Sequence, residues 1–174
     1  MKKYLFYWQF AGFVVAVALG TLLHFVFTWT KAYPLAPISA VNESTWEHMK
    51  ILFFPMLLFA CVQYRFFHEE FSEFWWIKVI GTLVGVLSIP ILFYTYTGAF
   101  GKTPDWLNIA FFFISAGLGY FVEYLLFKSD FSLLYPWIAV IPLFLIALLF
   151  AIFTFCPPYL PLFQDPITKQ YGIL

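Results

Sequence analysis

Charge is what this sequence has least of. Only 10% of its 174 residues are Asp, Glu, Lys or Arg, against about a quarter in an average soluble domain. Nine basic residues balance nine acidic ones, so there is no basic excess to hold nucleic acid. Cysteine is nearly absent. Cys61 falls in an apolar run and Cys156 opens a proline-rich tail, at no spacing that suits a disulfide framework or a zinc knuckle. G-x-S-x-G, H-E-x-x-H and a phosphate-cradling glycine loop are missing too, which counts against the familiar enzyme classes. No internal repeat stands out, so an inverted-repeat transporter is not supported.

What is there is apolar: 63% hydrophobic and 25% aromatic, with 25 Phe. A membrane-crossing helix needs about 20 mainly apolar residues, and five stretches qualify: about 4–30, 46–67, 74–97, 106–127 and 133–155. These predict an all-α polytopic integral membrane protein, one bundle of about five transmembrane helices over 1–155, with the bilayer as its main partner. Residues 156–174 carry Pro157, Pro158, Pro161 and Pro166 and cannot form a sixth span. All seven Trp lie near predicted span ends, where an indole meets both apolar and wet surroundings. Pro55, Pro90 and Pro142 fall inside spans, where proline kinks a helix.

With the N-terminus inside, Lys2, Lys3, Arg65, Lys78 and Lys128 face the cytoplasm and Lys31, Lys50, Lys102 and Lys169 face out. Five against four gives a slight positive-inside bias and an expected cytoplasmic N-terminus. The rival reading of the first stretch is a cleaved signal peptide, but its apolar run far exceeds the usual 7–15 or so residues.

Small residues four apart let helices approach closely in lipid. The first span reads Gly12, Ala16, Gly20 and then His24 at the same step; the fourth reads Ser115, Gly119 and then Glu123. The third carries Gly81 and Gly85. His24 and Glu123 therefore continue protein-facing stripes. By depth, an outer cluster gathers His24, Glu43, Glu47, His48 and Lys50, with Tyr94 or Tyr96 nearby and Asp165 and Lys169 joining should the tail fold over it. An inner cluster gathers Arg65, Glu123, Lys78 and the His68-Glu69-Glu70 loop, with Arg65–Glu123 the expected structural ion pair and Lys78 the alternative partner for Glu123.

The densest chemistry is Asn42-Glu43-Ser44-Thr45-Trp46-Glu47-His48-Met49-Lys50. This N-E-S-x-W-E-H-x-K segment, ahead of an apolar helix, resembles a family of small multi-pass bacterial membrane proteins of uncharacterised function. The resemblance implies a bacterial cell-membrane location and carries no activity with it.

Read for chemistry, His24, Glu43, Glu47, His48 and Lys50 form a candidate ligand-binding set. His24, Glu47 and His48 offer imidazole and carboxylate ligands that zinc or another transition metal accepts. The structural reading of the same residues is a capping box, Ser44-Thr45-Trp46-Glu47, with Glu47 paired to Lys50 along the helix. Three functions stay open. The cluster captures or carries a small cation or polar solute, with an oligomer or partner subunit completing any path. An intramembrane enzyme, metal-dependent or not, uses the same groups. A scaffold or accessory subunit needs them only to pair.

Overall fold

The computed structural model describes residues 2–133 and 135–173. Five helices carry it: α1 Leu5–Thr30, α2 Thr45–Phe67, α3 Phe74–Phe100, α4 Asp105–Lys128 and α5 Val140–Phe155. Each is long and apolar enough to cross a membrane, α5 when joined to the 3-10 turn Pro136–Ala139 ahead of it. That turn is why α5 starts later than hydropathy alone suggests. Tyr135 is left-handed (φ 56°) and Pro136 opens the turn. Pro142 then falls in the first turn of α5, where its missing N–H breaks no helical bond, while Pro55 and Pro90 are truly interior.

Successive helices run up and down, and α2 is the central one. In its most apolar stretch 56% of residues are buried, against 22% for the peripheral α5. Ile51, Leu52, Phe53, Met56 and Phe59 of α2 form the middle of the core, meeting Ala16 of α1, Ala116 and Tyr120 of α4, and Phe150 of α5. The outward faces are apolar as well: Phe10, Leu22, Ile91, Ile109 and Phe144 are all exposed. A soluble monomer rarely shows so continuous an apolar surface, whereas lipid tails accept it.

Small residues set the helix contacts. A Cβ built on Gly119 would lie 2.8 Å from the Gly81 carbonyl oxygen and 3.3 Å from Gly85 Cα, so α3 and α4 touch backbone to backbone. On α1, Gly12 lies against Phe59 and Tyr120, and Gly20 against Phe112 and the Ile51 carbonyl.

Trp46 departs from the interfacial expectation. It is buried against Phe150, Phe153 and Phe163, with ring centroids 4.5, 5.6 and 4.7 Å away, and it ties α2 to α5 and the tail. Trp29, Trp106 and Trp137 are exposed at helix ends. The tail folds back rather than trailing. It makes a 3-10 turn at Pro161–Phe163, an antiparallel bridge between Gln164 and Tyr171, and contacts with the 31–44 loop. The end of the bundle bearing this loop and the tail is called the tail end below.

Candidate functional site

The 31–44 loop is held by a buried ion pair beneath it. Lys50 Nζ donates to Glu47 Oε2 at 2.6 Å, to the Ala36 carbonyl at 2.9 Å and to Thr154 Oγ1 of α5 at 2.7 Å. All three ammonium donors are therefore used, which is what makes a fully buried lysine tolerable. The Glu47 carboxylate also accepts the Val41 N–H at 2.9 Å. Ser44 caps α2 as expected, accepting the Glu47 N–H at 3.4 Å, but Glu47 does not complete the capping box. Its carboxylate is spent on Val41 and Lys50 instead.

That corrects two expectations. Glu47 and Lys50 are not presented to a ligand, because both are sealed among partners that satisfy them. Glu43 takes the place expected of Glu47 beside the two histidines. Of the two tyrosines expected nearby, Tyr94 has its ring against Phe93, and Tyr96 against Phe100 and Phe111.

Above the pair, Glu43 Oε2 stands 3.4 Å from His24 Nε2 and 3.8 Å from His48 Nε2. The two imidazole centroids are 5.3 Å apart. One ligand atom from each of His24, Glu43 and His48 lies within 4.8 Å of the other two, the one such grouping of three among the described residues. His48 Nδ1 sits 2.9 Å from the Ser44 carbonyl, which can only accept, so this nitrogen carries a proton and the neutral ring would offer its lone pair from Nε2, toward the cluster.

Glu43 is positioned from three sides. Asn42 Oδ1 accepts the Ser44 N–H at 2.8 Å, Asn42 Nδ2 donates to the Gly172 carbonyl at 3.1 Å, and Asp165 Oδ2 accepts the Glu43 N–H at 3.3 Å. The tail thus reaches the site through Asp165 and Gly172. The Lys169 N–H bonds the Asp165 carbonyl within the tail itself. A cleft of about 220 Å³ lies between loop and tail, lined in part by Lys31, Asn42, Asp165 and Thr168.

The hydrogen bond from His24 holds the Glu43 carboxyl below its usual range, against the burial that pushes it up. Burial likewise pushes Asp165 up, but the N–H groups of Thr168, Ile167 and Glu43 outweigh it and hold this carboxyl low.

At the opposite end the expected Arg65–Glu123 pair is replaced. Arg65 is exposed near the end of α2, and Glu123 meets Lys78 of α3, with both members buried. Matching depth suggested Arg65, but face decides: Lys78 is one turn before Gly81, which packs directly on Glu123. The His68-Glu69 loop is exposed.

The family of unknown function DUF6512 matches residues 2–173. The chain belongs to this family. The match spans all five helices, the 31–44 loop and nearly the whole tail, so both ends of the bundle described above lie inside the family's extent. No curated protein and no solved structure matches the chain.

Proposed function

We propose that this member of DUF6512 is a multi-pass cell-membrane protein, N-terminus inside, that captures a divalent transition-metal cation at its outward tail end through His24, Glu43 and His48. The observation that carries the reading is the spacing of the three ligand atoms. Around a tetrahedral zinc with arms of about 2.0–2.1 Å, ligand atoms stand roughly 3.3–3.4 Å apart. The His24–Glu43 and His48–Glu43 separations of 3.4 and 3.8 Å are close to that.

The surroundings support exchangeable binding over a structural role. Three protein ligands leave a coordination position open, as in sites that bind and release. The cluster is partly exposed, so a hydrated ion can reach it. The Ser44 carbonyl on His48 Nδ1 supplies the outer hydrogen bond that orients a metal-bound imidazole.

The test is metal content by mass spectrometry and a zinc titration on the purified full chain. Near-stoichiometric metal is expected, lost in His24→Ala and His48→Ala and weakened in Glu43→Gln, with His68→Ala at the other end unchanged. Absence of metal, with the variants merely less stable, would refute the site and leave the scaffold reading.

A further inference from the structure

Gln9 and Gln63 are buried at 4% and 0% exposure, yet neither side-chain amide has a partner for its nitrogen or its oxygen. Native proteins rarely leave four such atoms dry, because an unpaired buried amide forfeits its hydration for nothing. The helix contacts place both amides in one layer. Gly12 of α1 packs against Phe59 of α2 and Tyr120 of α4. One turn from that contact, away from the tail end, come Gln9 on α1, Gln63 on α2 and Glu123 on α4, each on the same face as its neighbour. Lys78 of α3 completes the layer by pairing with Glu123.

Four helices thus each bring one buried polar side chain to the same level. Aromatic layers close it on both sides. Phe59 and Tyr120 lie toward the tail end, while Phe67, Phe71, Phe74 and Phe127 form a plug toward the other, Phe71 and Phe127 with ring centroids 4.8 Å apart and Phe67 and Phe127 5.6 Å. The Tyr120 hydroxyl is a further buried group without a partner.

The donor set selects the ligand. An ammonium beside the site rejects a metal cation and a carboxylate rejects an anion; amides and a phenol both donate and accept. The fitting guest is small, neutral and able to do both. We propose that this layer is an occluded hydration site, in which water bridges the Gln9 and Gln63 amides, the Tyr120 hydroxyl and the Lys78–Glu123 pair. Buried water of this kind typically makes about three hydrogen bonds to groups that otherwise have none. Polar side chains inside a membrane bundle are tolerated where they pair or face water.

Radiolytic labelling in oxygen-18 water tests this directly, since radicals generated from trapped water mark the rings beside it. On the full chain in detergent, Tyr120, Phe74 and Phe127 are expected to be labelled several-fold faster, after correction for intrinsic ring reactivity, than Phe53 and Phe150. The latter are equally buried but belong to the apolar core. In the double variant Gln9→Leu, Gln63→Leu the excess at Tyr120 should vanish, while zinc binding at the tail end stays as in the parent chain. Labelling of Tyr120 no faster than Phe53, or an excess that survives in the double variant, overturns the proposal. Neither result bears on the metal site, which uses other residues.

Discussion

Removing one member of the buried pair at the end away from the tail should be far more damaging than removing both. Lys78 and Glu123 are each 1% exposed and bonded to one another across α3 and α4. Lys78→Met leaves the Glu123 carboxylate inside the bundle with no counter-ion, and breaking a buried pair this way typically costs about 3–5 kcal/mol. That is roughly two to nearly four powers of ten in the ratio of folded to unfolded protein. The double variant Lys78→Met, Glu123→Met keeps unbranched side chains of similar length against Gly81 and removes both charges, so most of the loss should return. Glu123→Gln alone should be milder than Lys78→Met. The stranded ammonium still has the Phe74, Tyr120 and Phe127 rings at 5.5, 5.6 and 5.7 Å, and such contacts are worth up to about 2 kcal/mol each when desolvated. Denaturant titration in mixed micelles, followed by tryptophan fluorescence, gives the ranking. A Lys78→Met variant within about 1 kcal/mol of the parent, the size of an ordinary substitution, or a double variant no better than the single, would refute the reasoning.

Two further outcomes follow from the contacts. Gly119→Val should be destabilising by at least about 1–3 kcal/mol, because the new side chain meets the Gly81 carbonyl and Gly85 Cα, backbone atoms that cannot step aside. Gly117→Ala, which would meet only Phe13 at 3.8 Å, should be near neutral, and equal thermal stability of the two variants would contradict the α3–α4 seam. The tail should also come loose in acid. Asp165 sits below its ordinary value, so its contribution is complete above the unfolded pKa and is lost as pH falls through the lowered folded one, when its bond to the Glu43 N–H weakens. Limited proteolysis should therefore find the tail protected at neutral pH and cut under acidic conditions, with Asp165→Asn cut more readily at neutral pH; a tail equally protected at every pH would count against its docking on Glu43.

The helices were legible because lipid leaves a strong mark on composition, and the packing faces were legible because small residues recur at every fourth position. Gly12, Ala16 and Gly20 do face the core, and Gly119 does meet α3. What was not legible was the choice between residues of one kind at one depth. Glu43 and Glu47 are both near His48 in sequence, and only the path of the loop, bent down by Lys50 on Ala36, turns Glu47 inward and Glu43 to the histidines. Arg65 and Lys78 both match Glu123 in depth. The Gly81–Gly85 and Ser115–Gly119 stripes, set against each other, place Lys78 on the face of α3 that meets Glu123. Gln9 and Gln63 carry no charge to mark them; their signal is register, one turn from Gly12 and Phe59. Trp46 does open α2, but being near a span end does not say which way the ring faces, and Phe150 and Phe163 come from distant parts of the chain.

Position along α1 and α2 bears on how a cation could move from the site proposed at the tail end. His24 and Gln9 are 15 residues apart on α1, and His48 and Gln63 are 15 apart on α2; by helical rise each interval is about 22 Å. The two helices therefore agree on the separation of the metal cluster from the polar layer. The space between is occupied by Ala16, Leu52, Phe53, Met56 and Ala116, all fully or almost fully buried. The helices are also drawn together there by Gly12 and Gly20, so closely that even a methyl group on either would collide with a neighbour. An ion leaving His24, Glu43 and His48 in that direction would lose its ligands and meet hydrocarbon, then arrive at a layer where the Lys78 ammonium repels it. The arrangement therefore suits capture and release on the same side of the membrane.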